Sequence, residues 1–412
     1  MNVRRRDFLT AAGAFTALWG TRARAASTAP RLIFVFLRGG ADALSLAAPG
    51  GSAFSAFQAL RPNIAMANPL AFAGLNFHPA MQPLLAAGPA ANLGLVLHAG
   101  GTADNRSHFD QQYRIESGDP SGATTTGVLG RAVTALGRRC ACVTRAVPQS
   151  VRGVADPLLM SDPARVPPMY AAGSPRPGWT RAQRLSSYVG SPEAAVSAAA
   201  RSAELDGNLL AGELAGVTSA SLTAQHGYVT SNTQFAQRLA LAAELCDTSL
   251  DPAIVTVDGE QFWDSHASQF TNDPTKYKAV YKSIDDLAVN LAALRVDLQA
   301  RGLWSHTVVA VMSEFGRTVR ENQNQGTDHG RGGLMMLLGG PVRPFTDAGY
   351  LGARTWSLPA SPTASSALSV VHDYRLVLAE LLERHLGLPR AAVSSVFQGQ
   401  VPLTSGYLGT LY

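Results

Sequence analysis

The chain has 412 residues, a formal net charge of +5 and 46% hydrophobic residues. With 39 glycines and 24 prolines, this composition is typical of a globular, loop-rich α/β protein and excludes a disordered chain. We find no basic patch that would indicate nucleic-acid binding. After the first 25 residues, no apolar run is long enough to span a bilayer.

Residues 1–25 have the layout of a bacterial twin-arginine export signal. Arg5 and Arg6 belong to an R-R-x-F-L pattern, Leu9–Gly20 is short and weakly apolar, and Ala23–Ala25 suits cleavage. We therefore interpret residues 1–25 as an export signal rather than as a disordered basic N-terminus. The protein is expected to be exported folded and to be periplasmic or secreted. Removal of the segment leaves a net charge near +1, so the pI of 9.3 indicates little about partners. Residues 26–412 are expected to form a single α/β domain.

The cysteines are too few for a disulfide framework in an exported protein of this size. Cys140 and Cys142 are two residues apart, and either could pair with Cys246. Burial as free, small hydrophobic side chains is the interpretation we favour.

The elements alternate between strand-like and helix-like patterns along the chain. Hydrophobic runs predict buried strands at Leu32–Leu37, Leu93–Leu97, Ala253–Val257, Thr307–Met312 and Leu334–Leu338. Helices are predicted from a cap at Asn105 or Ser107 to Glu116, over roughly 190–205, and at Thr233–Cys246, Tyr277–Arg301 and Tyr374–Leu386. Residues 145–185, rich in Pro, Ser and Arg, are expected to form an irregular insertion.

The helix at Tyr277–Arg301 has the clearest pattern. Its apolar residues recur on one face, at Val280, Ile284, Leu287, Leu291, Leu294 and Leu298. Because this helix joins two hydrophobic runs, it predicts a parallel β-α-β crossover. We therefore expect a mixed, largely parallel sheet with helices on both faces.

Polar residues follow or precede these strands. Arg38 and Asp42 follow the first strand; Glu260, Asp264 and His266 follow Ala253–Val257; Glu314 and Arg317 follow Thr307–Met312; and Asp328 and His329 precede Leu334–Leu338. Ligands of open α/β sheets bind at the carboxyl ends of the strands, so these side chains are expected to share one crevice. Carboxylates and imidazoles are ligands of zinc, manganese or calcium, which predicts one or two divalent ions.

Each residue also has an ordinary structural interpretation. Asp42 could simply stabilise a turn, and a serine such as Ser107 is common at helix N-termini. As a nucleophile, Ser107 would be helped by Arg106 and His108, since a cation and an imidazole suit phosphoryl or sulfuryl oxygens.

The motifs together resemble a large bacterial exported family known only as a domain of unknown function, of the DUF1501 type. These are F-L-R-G-G-A-D, N-R-S-H-F-D, W-D-S-H, M-S-E-F-G-R-T and G-T-D-H-G-R-G-G. The family is placed in the alkaline-phosphatase-like superfamily, with sulfatases and cofactor-independent phosphoglycerate mutases. The resemblance implies a three-layer α/β sandwich with a mostly parallel central sheet.

The resemblance also implies roles for individual residues. Asp42 looks like a ligand of one metal, and Ser107 like the covalent nucleophile. Asp264, His266 and His329 look like ligands of the other metal. Glu314 matches the aspartate of an Asp-His pair, but Phe315 replaces its imidazole. This departure puts the second metal in doubt unless Asp328 or His108 substitutes.

Other candidates have weaker support. Ser161, Pro163 and Arg165 fit the sulfatase S-x-P-x-R pattern, but they lie far past the expected nucleophile. His98 ends a strand near Ser107, and His372 begins the last predicted helix, where capping is the favoured role.

These observations lead to two hypotheses. The first is a metal-dependent hydrolase of a small anionic substrate, a phosphate or sulfate ester. In the hydrolase hypothesis, Arg38 or Arg317 binds the anionic oxygen of the substrate. The alternative is that these arginines form salt bridges with Asp42 and Glu314. The second hypothesis is a non-catalytic periplasmic binding protein that retains the fold.

Overall fold

The structure is a computed structural model. It describes residues 27–86, 92–154, 157–161, 210, 212–230, 234–259, 262–269, 280–401 and 406–412. The predicted export signal, the helix at 190–205, Glu260 and residues 162–165 of the S-x-P-x-R pattern lie outside the described residues.

Most of the strands belong to one large sheet. The strands are β1 (Arg31–Leu37), β2 (Ala47–Pro49), β3 (Leu70–Phe72), β4 (Leu75–Phe77), β5 (Leu93–Gly100), β6 (Cys140–Val143), β7 (Leu158–Leu159), β8 (Ile254–Gly259), β9 (Thr307–Ser313), β10 (Gly333–Leu338) and β11 (His372–Asp373). The large sheet has eight strands in the order β11-β5-β10-β9-β1-β8-β6-β7. Strands β2, β4 and β3 form a small antiparallel sheet.

The large sheet is parallel except at β10. Strand β1 pairs in parallel with β8 and β9, and β10 is antiparallel to both β9 and β5. The prediction of a mostly parallel sheet is therefore confirmed, although the last of the predicted hydrophobic runs, Leu334–Leu338, is the antiparallel strand. Because β10 runs the opposite way, the loop before it lies at the same edge as the loops after β1, β8 and β9.

Both faces of the sheet are covered. All residues of β1 are at most 3% exposed, although successive side chains of a strand point to opposite faces. The helices are α1 (Ala43–Leu46), α2 (Ala53–Leu60), α3 (Gln82–Leu85), α4 (His108–Ser117), α5 (Val128–Leu136), α6 (Ser219–Thr223), α7 (Phe235–Cys246), α8 (Val280–Ala300), α9 (Tyr374–Glu380) and α10 (Arg390–Val396). Helix α7 packs on α6, α8 and β8, whereas α5 packs with α4 and α10.

The predicted helices that fall within the described residues are found with small differences. Helix α8 buries every residue of its apolar stripe, and it links β8 and β9 as the crossover prediction required. The last predicted helix ends its α-helical part at Glu380 and continues as a π-helical turn over Leu381–His385. Of the expected irregular insertion at 145–185, residues 155–156 and 162–185 lie outside the described residues, and Leu158–Leu159 form β7 at the edge of the large sheet.

The cysteines are all buried free thiols, so the pairing with Cys246 is not found. Among the described residues, no helix is both long and apolar enough to cross a membrane.

The buried stripe of α8 provides a stability test. Leu291 is 1% exposed, whereas Val296, on the same helix, is 42% exposed. Leu291→Ala should lower the free energy of unfolding by about 2–5 kcal/mol, because it removes buried apolar surface and leaves a cavity. Val296→Ala should change it by less than about 0.5 kcal/mol, and urea unfolding measures both. Equal effects at the two positions would contradict the packing described here.

Candidate metal centre

Hydrogen bonds of the Arg317 side chain connect the loops at the polar edge of the sheet. This side chain is fully buried and lies in the loop after β9. It donates hydrogen bonds to the loops after β1 and β8 and to the loop before β10. The acceptors are the carbonyl oxygens of Gly39 (2.7 Å), Gly40 (2.8 Å), Trp263 (3.0 Å) and Thr327 (3.1 Å) and the Oδ1 atom of Asp264 (2.6 Å). The guanidinium therefore fixes the position of Asp264 relative to all four loops.

Three imidazoles meet at the Asp264 carboxylate. The Nε2 atoms of His108, His266 and His329 lie 3.3, 3.0 and 3.3 Å from its Oδ1 atom. The Nε2 atom of His329 is also 2.9 Å from that of His108 and 3.0 Å from that of His266. Three ligand atoms, the Nε2 atoms of His108 and His329 and a carboxylate oxygen of Asp264, therefore lie within 4.8 Å of one another at one meeting point on the protein surface. The Nε2 atom of His266 adjoins two of them, those of Asp264 and His329.

The other nitrogen of each imidazole faces a hydrogen-bond acceptor. The Nδ1 atom of His108 lies 2.7 Å from Glu314 Oε1, and that of His266 lies 2.9 Å from Asp328 Oδ1. The Nδ1 atom of His329 lies 2.7 Å from the carbonyl oxygen of Arg106. Since these acceptors require a proton on Nδ1, each neutral imidazole presents the lone pair of Nε2 to the meeting point. This is the arrangement that proteins use to orient metal-binding histidines.

The environment shifts the pKa values of the clustered residues in different directions. Burial lowers the pKa of His329, which keeps this imidazole neutral. Burial by itself would raise the pKa of Asp264, but the hydrogen bond and charge of Arg317 hold it well below the usual range. The hydrogen bond to Glu314 raises the pKa of His108. A carboxylate and mutually facing lone pairs are stabilised by a positive charge placed between them, whether a proton or a metal ion.

Phe315 forms the wall beneath two of the imidazoles. Its ring centroid lies 4.8 Å from that of His108 and 5.1 Å from that of His329. Gly40 leaves room for the ring: it has a φ of +65°, and a Cβ atom there would lie 2.6 Å from Phe315 Cε2. At the position where the resemblance implies an imidazole, the structure thus has an apolar support.

The structure brings most of the predicted site residues together, in two layers. Asp264, His266 and His329 present ligand atoms to the meeting point, and His108, predicted as a catalytic residue, joins them. Glu314 and Asp328, both predicted as ligands, lie behind His108 and His266 instead. Glu314 is fully buried and also accepts hydrogen bonds from Gln112 and the Gly39 amide, both at 2.9 Å. In this arrangement these two carboxylates orient imidazoles.

Asp42 is the main correction to the predicted ligand set. Its buried carboxylate pairs with both Nη atoms of the Arg61 guanidinium, at 2.6 and 3.1 Å. It also accepts hydrogen bonds of 2.6 Å from Ser45 and Gln269. Burial alone would raise the pKa of Asp42, but the charge of Arg61 and these hydrogen bonds lower it. Its oxygens are used by protein donors and are not directed to the meeting point.

The two arginines predicted to hold an oxyanion are also engaged elsewhere. Arg38 pairs with Glu116 and Asp258, not with Asp42, at 3.1 and 2.9 Å. Arg317 pairs with Asp264 rather than Glu314, and protein acceptors surround it. The predicted pairs with Asp42 and Glu314 are therefore wrong, because nearer acceptors use the guanidinium groups.

Ser107 directly precedes His108 in the chain and has an exposed side chain. It is the N-cap residue of α4, but its exposed side chain makes no capping hydrogen bond. The Asn105 side chain instead accepts from the Ser107 amide at 2.7 Å. The neighbour on one side, His108, is in the cluster, and the carbonyl of Arg106 on the other side holds His329. Among the described residues, the hydroxyl has no hydrogen-bond partner, which suits a group that acts on a ligand.

The remaining histidine candidates have structural partners. His98 Nδ1 lies 3.1 Å from the Ser369 carbonyl, and its Nε2 accepts from the Ser357 amide at 2.9 Å. His372 Nε2 accepts from the Ala353 amide at 2.9 Å, at the start of α9. These contacts hold the chain between residues 353 and 372 in place.

The sequence interpretation missed two features. Arg61 lies in a Pro/Ala-rich stretch with no local pattern that links it to Asp42. Every residue has a backbone carbonyl, so the sequence gives no sign that the carbonyl of Arg106 accepts a hydrogen bond from His329. The position of His108, one residue after the candidate nucleophile, was the available indication of its place in the cluster.

The Asp42–Arg61 pair generates a prediction of pH-dependent stability. The pKa of Asp42 is lower in the folded protein than in the unfolded chain. The pair therefore stabilises the folded state at pH values above the ordinary aspartate pKa of about 4, and this stabilisation is lost as the pH falls through the lower pKa of the folded state. Arg61→Met should cost about 3–5 kcal/mol at pH 7, since it leaves a buried carboxylate unpaired. Without Arg61, Asp42 should bind a proton on folding, so the deficit should shrink toward pH 4.

Urea unfolding of wild type and Arg61→Met at about pH 7 and 4.5 measures this change. The double variant Asp42→Asn, Arg61→Met is the control, and it should recover part of the loss at pH 7. A deficit in the single variant that does not change with pH would contradict the assignment.

Comparisons with known proteins were made for both sequence and structure. Solved structures similar to the chain include the C-terminal periplasmic domain of EptC from Escherichia coli in complex with zinc (TM-score 0.36, 9% identity, 76% of this chain and 74% of that chain covered). They also include the lipoteichoic acid synthase LtaP from Listeria monocytogenes (0.36, 9%, 88% and 73%) and an alkaline phosphatase from the Antarctic bacterium TAB5 (0.32, 11%, 90% and 100%). At these scores and identities, the likenesses carry no conclusion about activity. A search of curated proteins gave no match.

A family model described as "Protein of unknown function (DUF1501)" matches residues 176–394, more than half of the chain. This region contains the W-D-S-H, S-E-F-G-R-T and T-D-H-G motifs, and it confirms the family resemblance inferred from them. The chain belongs to the DUF1501 family.

Proposed function

We propose that this protein is an exported, metal-dependent hydrolase of phosphate or sulfate esters. The observation that carries the proposal is the grouping of His108, His329 and the Asp264 carboxylate, with His266 adjoining it, directly after Ser107 in the chain. The twin-arginine pattern supports export to the periplasm or beyond of a single mature domain, residues 26–412.

The residues of the cluster fit a zinc ion. Zinc bonds of about 2.0–2.1 Å to nitrogen or oxygen in a tetrahedral site separate neighbouring ligand atoms by about 3.3–3.4 Å. The ligand atoms of His108, Asp264 and His329 lie 2.9–3.3 Å apart, slightly inside that spacing. Three imidazoles favour zinc over calcium, which prefers oxygen ligands, with manganese as the next alternative. Among the described residues, the ligand atoms form one such group, which supports a single ion.

A bound metal ion would neutralise charge on the ester and lower the pKa of a nearby hydroxyl. The protein supplies the nucleophile and its position. Ser107 stands at the N-terminus of α4, where the partial positive charge of the helix end favours an anionic ester. His108 is fixed by Glu314, and His329 by the Arg106 carbonyl, so the residues around Ser107 are held in place before substrate binds.

The reaction of Ser107 is balanced by two transfers. The Oγ atom of Ser107 forms a bond to the phosphorus or sulfur atom of the ester and loses its proton to solvent. At the same time, the bond between the phosphorus or sulfur atom and the alcohol oxygen breaks. The alcohol leaves with the electron pair and takes up a proton. Water then cleaves the serine ester, which releases inorganic phosphate or sulfate and restores the hydroxyl.

A binding protein that retains one metal is the second candidate. Two observations favour it: the Ser107 hydroxyl has no base among its described partners, and Asp42 and Glu314 are committed to other side chains. Such a protein would bind the metal and an anionic ligand without turnover. The two experiments below separate the candidates.

The first experiment tests the metal. The double variant His266→Ala, His329→Ala, purified from the periplasm, should contain much less metal than wild type, because it removes His329 from the ligand group and the adjoining imidazole of His266. Chelation should lower the melting temperature of wild type, since metal binding stabilises the folded state. Elemental analysis and thermal unfolding are the measurements.

His306→Ala is the control for the metal experiment, since His306 lies just before the amino end of β9, at the opposite edge of the sheet. It should retain the metal content of wild type. Unchanged metal and melting temperature in the double variant would refute the metal centre.

The second experiment tests the nucleophile. Ser107→Ala should reduce hydrolysis of aryl phosphates or sulfates by about 10³-fold or more, with metal content unchanged, because the covalent route is lost. The control is Ser395→Ala, an exposed serine on α10. Metal-replete wild type that hydrolyses no ester of either class would favour the binding protein. Activity that survives in Ser107→Ala would show that water attacks directly.

A further inference from the structure

Arg106 is a half-buried arginine directly before the proposed nucleophile. Its Nη1 atom donates to the carbonyl oxygens of His329 (3.2 Å) and Ser365 (3.0 Å). Its own carbonyl oxygen accepts from the imidazole of His329. Backbone and side chain of Arg106 therefore both contact the ligand loop, and this anchors the guanidinium next to the metal centre.

The rest of this guanidinium is uncommitted. Within the part of the chain that the structure describes, Nε and Nη2 of Arg106 make no hydrogen bond, and no carboxylate pairs with it. The other arginines near the site all have carboxylate partners. These pairs are Arg38 with Glu116, Arg61 with Asp42, Arg317 with Asp264 and Arg331 with Asp104.

We propose that Arg106 binds the anionic oxygens of the substrate, the role that sequence interpretation gave to Arg38 or Arg317. A guanidinium with one nitrogen anchored and the other two free offers a fixed, planar pair of donors, which matches two oxygens of a phosphate or sulfate group. Its uncompensated charge adds to that of the metal centre, so the site selects anionic monoesters over neutral esters. This inference rests on the proposed function and names the residue that recognises the substrate's charge.

Binding of inorganic phosphate and inorganic sulfate to the metal-loaded protein tests the inference without turnover. Isothermal titration of wild type, Arg106→Ala, Arg106→Gln and Arg106→Lys measures the dissociation constants. The Ala and Gln variants should bind the better of the two anions about tenfold to a hundredfold more weakly, as expected for the loss of charge-assisted hydrogen bonds. The Lys variant should bind more tightly than Gln, because it keeps the charge but loses the planar fork.

Arg331→Gln is the matched control, because it removes an arginine from the neighbouring loop that carries His329, and Asp104 already compensates the charge of that arginine. It should bind the anions as wild type does. Melting temperature and metal content of each variant show whether Arg106 serves only to tie Ser365 to His329. If Arg106→Ala does not fold, the comparison of Lys with Gln decides, since Gln can still donate to a carbonyl.

The outcomes separate this inference from the proposed function. Wild type that binds phosphate or sulfate, with equal affinity in the Lys and Gln variants, would overturn the role of Arg106 and leave the hydrolase standing. Metal-loaded wild type that binds neither anion would overturn both. With active enzyme, Arg106→Gln should raise KM for an aryl phosphate more than it lowers kcat, because ground-state binding of the anion is lost.

Discussion

The buried guanidinium of Arg317 is the interaction on which the site depends. It donates to carbonyl oxygens in the loops after β1 and β8 and before β10, and it contacts the carboxylate of Asp264. A loop carbonyl that is removed from water needs a donor, and one arginine has enough donors to serve several loops. Since Asp264 is held by the same group, the position of the carboxylate follows from the packing of the loops.

The acceptors behind the imidazoles determine what the cluster can bind. Glu314, Asp328 and the Arg106 carbonyl each hold an Nδ1 atom, so the Nε2 lone pairs face one another. Such an arrangement is unfavourable until a positive charge lies between the lone pairs. The same logic explains why Asp42 is not part of the centre: its charge is already compensated by Arg61, in the protein interior, where an unpaired carboxylate would be costly.

Phe315 and Arg106 give the centre its asymmetry. An aromatic ring contacts His108 and His329, whereas the residues just before His108 supply the exposed hydroxyl of Ser107 and an arginine that has no carboxylate partner among the described residues. The groups proposed to contact a ligand therefore lie on the segment that precedes α4.

The sequence by itself determined most of the described elements and several residues of the candidate site. Continuous hydrophobic runs predicted the buried strands because both faces of the sheet are covered, and the spacing of leucines predicted α8 because a helix buries one stripe. Asp264, His266 and His329 were found because polar residues at strand ends share an edge of the sheet. Only the tertiary structure decided the direction of β10, the pairing of Asp42 with Arg61, the place of His108 among the ligands and the orienting roles of Glu314 and Asp328. The physical reason is that a local pattern records which face of an element is buried, whereas the partner of a charged group depends on which distant donor or acceptor packing brings within about 3 Å.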